Sequence, residues 1–125
     1  MPLIHHELCF GCGRTNMFGL LVDVERIAAG AVAGRAFIKQ DHQGATPRHA
    51  HDGVIATALG EAMSLAVGAE ATLRRLELDL LGAAPVGAFL DLEAGVERRA
   101  GPTIHATAMA SAEGQPVARA RGSYA

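Results

Sequence analysis

The stretch RHAHDGVIATALGEAMSLAVGA, Arg48–Ala69, decides how the rest of the chain must fold. Its His-x-Gly signal opens a segment, from about Asp52 to Val67, that reads as a helix apolar on nearly every side, with Glu61 as the one charge inside it. Such a helix must be wrapped by other elements, and a carboxylate on it must be paired or used in chemistry. Asp52 stands where an N-cap belongs, and Gly68 where a C-cap belongs.

Outward from this helix the period changes from helical to alternating. Upstream, Leu20, Val22 and Val24 alternate with Leu21, Asp23 and Glu25, Gly30 marks a turn, and about Ala31–Lys39 reads as a second strand. Gln40–Arg48, with Gly44 and Pro47, is a loop. Downstream, Leu76, Leu78 and Leu80 alternate with Arg75, Glu77 and Asp79, and Leu90, Leu92, Ala94 and Val96 alternate with Asp91, Glu93, Gly95 and Glu97. Thr103–Ser111 and Val117–Arg121 follow, with Glu113, Gly114 and Gln115 as the turn between them. Two strands, a helix and four strands predict an α+β domain in which one antiparallel sheet curls around the helix. Residues 1–18 show no period and form an irregular lead-in containing Cys9 and Cys12. An Ala- and Gly-rich helix under one sheet makes a thin layer, so a homodimer or a dimer of dimers is the natural completion.

Composition narrows the function classes. At 125 residues, half of them apolar, the chain suits one domain with a core of Ala, Val and Leu. Its 11 basic and 13 acidic residues are mixed, without a basic stripe, and it has no Trp and one Tyr, which argues against nucleic acid as a partner. No apolar run is long enough to span a membrane and no basic leader precedes one, so a cytoplasmic protein is expected. The Cys-x-x-Cys pair fits a reducing compartment better than a disulfide framework.

Three segments carry a resemblance. CFGCGRTNMFGL (Cys9–Leu20), DHQGATPRHAHDG (Asp41–Gly53) and GVIATALGEAM (Gly53–Met63) are similar, in order and on the right elements, to the PaaI-like acyl-CoA thioesterases of the hotdog-fold superfamily. The resemblance implies a hotdog fold, a curved sheet around a central helix, and hydrolysis of a small acyl or aryl thioester, with acyl-CoA as partner and no cofactor. Where the family reads HGG this chain has His51, Asp52 and Gly53. Where the family has its catalytic Asp this chain has Gly60, followed by Glu61.

Thioester hydrolysis needs donors for the carbonyl oxygen and a carboxylate that attacks or activates water. The unpaired N–H groups of Asp52 and Gly53 at the helix start supply the donors. His51 shapes that entrance, or is a polar end group. The Asp52 side chain either caps the helix or sets a negative charge beside the oxyanion position. Glu61 is the replacement base or nucleophile, or a satisfied acid at a dimer interface. Thr57 and Ser64 share its helix face as a polar stripe. Gly60 lies near the face of Gly53 and Ala56, a substrate position or a close-packing stripe, and Gln43 in the preceding loop is placed near substrate. No metal is expected; Cys9, Cys12, His5 and His6 are the weak candidates, against a reduced structural turn. Some of Arg74, Arg75, Arg98, Arg99, Arg119 and Arg121 could meet coenzyme A phosphates. The alternative function is a hotdog protein that binds acyl-CoA or another small ligand without cleaving it; a third is hydration or dehydration of an acyl thioester.

Overall fold

A computed structural model describes residues 2–125. Among the described residues the elements are β1 (Asp23–Ala28), β2 (Ala31–Phe37), α1 (Asp52–Val67), β3 (Leu73–Leu80), β4 (Phe89–Ala100), β5 (Thr103–Ala112) and β6 (Gln115–Tyr124), with one short 3-10 turn at Gln40–His42. The six strands form one antiparallel sheet in the order β1-β2-β4-β5-β6-β3.

The alternation read from the sequence becomes the two faces of this sheet. Leu90, Leu92 and Ala94 of β4, four alanines of β5 (Ala106, Ala108, Ala110 and Ala112) and Val117, Ala118 and Ala120 of β6 are buried. Ile55, Leu59, Ala62, Met63 and Ala66 of α1 are buried with them, so the helix lies in the hollow of the sheet. The short alanine side chains let helix and sheet approach closely. Gly34 does the same between β1 and β2, because a methyl group there would overlap the Asp23 carbonyl.

Element edges differ from the sequence reading in instructive ways. Leu20 and Val22 are buried, but they precede β1: their N–H groups donate to the carbonyls of Phe10 and Gly11 at 2.8 and 2.7 Å, so they pair with the lead-in. The helix cap is His51, whose Nδ1 accepts from the Gly53 N–H at 2.8 Å. Asp52, expected as the cap, is the first helical residue instead. At the other end Gly68 is the cap, with φ 108° and its N–H donating to the Ser64 carbonyl at 3.0 Å.

The helix is also less enclosed than its composition implies. Gly53 is exposed and Ala56 and Gly60 are half-buried, and a methyl group at Gly60 would meet no atom within 4 Å. Among the described residues, then, the small-residue face is open at Gly60 and touched at Gly53 by the His51 ring. β3 leaves a second open surface, since it pairs only with β6 and exposes Leu76 and Leu80.

One buried group gives the fold a pH dependence. His42 is 5% exposed; its Nδ1 accepts from the Lys39 N–H at 3.1 Å, and its Nε2 has no partner among the described residues. Burial, reinforced by the Lys39 charge, holds its pKa below the ordinary 6.5. The unfolded chain thus takes up a proton near pH 6.5 that the folded chain refuses. The stability this represents is present above that pH and is lost as pH falls through it. Between about pH 7.5 and about pH 5 the melting temperature should fall more steeply for the wild type than for His42→Gln. Parallel slopes would remove His42 as the cause.

Candidate active site and cysteine cluster

The loop from Gln40 to Ala50 builds the entrance to α1. Gly44 packs on His51, where a Cβ would come within 2.7 Å of the His51 Cα, and the His51 N–H donates to the His42 carbonyl at 2.7 Å. The Ala50 N–H donates to Ala84 at 2.8 Å, which ties the loop to the segment after β3. Gln43 is spent on this architecture: its Oε1 accepts from the Arg48 N–H at 2.6 Å, and its Nε2 donates to the Gln40 carbonyl at 3.0 Å. The first of these bonds holds Arg48 at φ 65°, a left-handed conformation uncommon for a residue with a side chain.

The result is a cleft of about 360 Å³ at the helix N-terminus, lined by Thr46, His49, His51, Asp52, Ile55 and Gly82 among others. His51 and Asp52, two of the residues expected to be catalytic, come together here. The Gly53 N–H is taken by His51, and those of Val54 and Ile55 go to the His51 carbonyl at 2.9 and 3.2 Å. The Asp52 N–H is the helix-start donor without a hydrogen-bond partner among the described residues. It carries the positive end of the helix dipole. Asp52 is also the sole carboxylate among the described residues that line the cleft.

Glu61 is not brought to this cleft. It lies eight residues beyond Gly53, about 12 Å along the helix axis. Its Oε2 is 2.8 Å from His5 Nδ1 and 3.2 Å from Cys9 Sγ. Thr57, on the same stripe, donates to the Gly53 carbonyl at 2.8 Å, and Ser64 bonds Tyr124, whose hydroxyl donates to the Gly60 carbonyl at 3.3 Å.

The lead-in is instead organised around Glu61. The Gly13 N–H closes a turn onto the Cys9 carbonyl at 2.9 Å, and a Cβ at Gly13 would strike the Cys9 backbone. Gly11 leaves room for the Glu61 carboxylate, which a methyl group at that position would overlap. The His5 N–H donates to Cys12 Sγ at 3.1 Å, and His5 Nδ1 lies 3.7 Å from Cys9 Sγ and 3.6 Å from Cys12 Sγ. Both cysteines are free, and Cys12 is fully buried. Burial, followed by the hydrogen bond to Glu61, raises the Cys12 thiol pKa far above its ordinary value. Three of the four metal candidates named from the sequence thus meet, and Glu61 joins them; His6 points elsewhere, accepting from the Leu8 N–H at 3.2 Å. The Cys-x-x-Cys spacing signalled this cluster, but the carboxylate closing it comes from α1, out of reach of any local motif.

Of the arginines, Arg75 pairs with Glu77 at 2.9 Å and Arg119 with Asp79 at 3.0 Å. Both pairs are exposed; the first lies within β3 and the second bridges β6 and β3.

A curved antiparallel sheet with a single helix in its hollow is the hotdog fold, the fold of thioesterase-superfamily proteins. No family model matches the chain, and no curated protein matches its sequence. Solved structures do. A thioesterase superfamily protein superposes with a TM-score of 0.82 at 23% identity, covering 90% of this chain; the chain spans 60% of that protein's length. A variant of the phenylacetic acid degradation protein PaaI from Thermus thermophilus gives 0.75 at 21% identity, over 82% of this chain and 90% of that one. A hypothetical thioesterase of Streptococcus pneumoniae, solved with coenzyme A, gives 0.75 at 16% identity, over 82% of each chain. At these identities the likeness is one of fold, and it agrees with the resemblance carried by the three sequence segments. Among the described residues no helix is long and apolar enough to cross a membrane.

Proposed function

We propose that this chain is a single hotdog domain that binds an acyl thioester at the start of α1 and hydrolyses it. The observation that carries the reading is the cleft at the helix N-terminus, with one unpartnered N–H and one carboxylate, both from Asp52. The thioester oxygen accepts from the Asp52 N–H, where the helix dipole favours developing negative charge. The Asp52 carboxylate takes a proton from the attacking water. Its own charge is cancelled as the oxyanion forms, so the two negative charges do not coexist at full strength. His51 positions the Gly53 amide. Gln43 acts through the loop it braces, and the open face at Gly60 is available to the acyl group. In this reading Glu61, Thr57 and Ser64 stay out of the reaction, since each is engaged elsewhere.

The coenzyme A bound in the Streptococcus pneumoniae protein supports coenzyme A as the thiol carrier here. A second copy of the chain is the expected partner, because the unpaired edge of β3, with Leu76 and Leu80 exposed, needs a strand beside it. Exposed Ile27 and Met109 on the outer face favour a further pairing of dimers. The free Cys9 and Cys12 support work in the reducing cytoplasm.

Free-thiol release from short, aromatic and long acyl-CoAs tests the activity. Turnover by the wild type is expected to fall by about 10²–10⁴-fold in Asp52→Asn, the usual worth of a general base. The alternative, a binding protein without hydrolysis, is favoured by Gly60 and by the engagement of Glu61. Acyl-CoA binding with no thiol release from any of the panel would establish it in place of the enzyme.

A further inference from the structure

We propose that His5, Cys9, Cys12 and Glu61 form a zinc site that fastens the lead-in segment to the central helix. The four donor atoms lie within 4.8 Å of one another. Zinc held tetrahedrally at about 2.3 Å from sulfur and about 2.0 Å from nitrogen or oxygen sets its ligands about 3.3–3.8 Å apart. The separations here are 2.8 Å for His5 to Glu61, 3.2 Å for Cys9 to Glu61, and 3.7 and 3.6 Å from His5 to Cys9 and Cys12. The other two pairs lie within 4.8 Å, so an ion is accommodated at the centre by side-chain shifts of up to about an ångström.

The donor set selects the metal. Two thiolates exclude the hard cations magnesium and calcium, and thiolates with an imidazole and a carboxylate are the set zinc takes. The surroundings are arranged for such an ion. Gly13 and the Gly13-to-Cys9 hydrogen bond draw the two sulfurs into one turn, the His5 N–H supports the Cys12 sulfur, and Gly11 opens the path by which Glu61 enters. Cys12 is fully buried, while the side chains of His5 and Glu61 are 25% and 12% exposed, leaving the ion a way in. Binding displaces the two thiol protons, which pass to solvent.

With four protein ligands the ion has no open position for water or substrate, so the site is structural. It is separate from the cleft at the helix start and does not depend on the thioesterase reading. It also accounts for Glu61 as the one charge of α1 beyond its first residue: the carboxylate anchors the preceding segment through a cation.

The test uses the full chain, reduced and stripped of metal. Titrated with zinc against a chromophoric chelator, it should bind one ion per chain, and cobalt in its place should show thiolate-to-metal charge transfer with a tetrahedral spectrum. Cys9→Ser should weaken zinc by more than about 100-fold, beyond the cost of losing a supporting contact, and Glu61→Gln by at least about 10-fold, while His6→Ala should leave it unchanged. Zinc should raise the melting temperature of the wild type and of His6→Ala but not of Cys9→Ser. Cys9 is half-buried and Glu61→Gln is isosteric, so both variants should keep the wild-type circular dichroism, which shows that lost binding is not lost folding. Zinc uptake by the reduced wild type no better than by Cys9→Ser, or a cobalt spectrum without charge transfer, would overturn the proposal. So would a Cys9–Cys12 disulfide in the purified protein that, once reduced, takes up no metal.

Discussion

Replacing Asp52 with proline is expected to cost about 10²–10³-fold more in kcat than replacing it with alanine, while leaving α1 folded. Both substitutions delete the carboxylate, and only proline deletes the N–H. That N–H has no intrahelical partner to lose, because Asp52 is the first helical residue, where proline is tolerated. His51, at φ −59° and ψ 141°, already has the extended backbone that a following proline demands. The ratio of the two variants therefore isolates one hydrogen bond to the oxyanion, corresponding to about 3–4 kcal/mol of transition-state stabilisation. Thiol release at saturating acyl-CoA, with circular dichroism as the folding control, measures it. Equal kcat in the two variants would place the oxyanion elsewhere.

Tyr124→Ala should be the most damaging single truncation of the core. The ring is fully buried at the end of β6, packed by Gly122 and Met63, and its loss leaves a cavity worth about 3–5 kcal/mol. For a domain of this size that lowers the melting temperature by roughly 10–20 °C. Tyr124→Phe separates packing from hydrogen bonding. It removes the hydroxyl with its 3.3 Å bond to the Gly60 carbonyl and its bond to Ser64, and should cost about 1–2 kcal/mol. Thermal unfolding followed by circular dichroism distinguishes the two. A phenylalanine variant as unstable as the alanine one would mean that the hydroxyl, not the ring, holds β6 to the helix.

Periodicity carried most of the architecture. α1 runs over the residues its apolar pattern marks, and the alternating segments became the strands, because burial on one face imposes a period that a single sequence displays. The cap was less legible: histidine is not among the favoured N-cap types, and its ring reaches the Gly53 amide only because the loop at Gly44 presses the backbone into place. The start of β1 was hidden for a related reason. Leu20 and Val22 alternate as a strand does, yet their partners are irregular backbone at Phe10 and Gly11. Least legible was the company Glu61 keeps. Its spacing from Thr57 and Ser64 describes the helix surface, whereas its contacts come from a segment some fifty residues upstream.

The seat of β3 between open solvent and β6 also orders events in time. During synthesis the helix and β3 leave the ribosome well before residues 115–124, so the strand beside the helix has no neighbour until the last strand of the fold is made. Local contacts cannot complete the hollow, and the leucine-bearing ribbon stays adhesive through that interval. The nascent chain is most exposed to aggregation just before β6 is made, and chaperone demand should concentrate there.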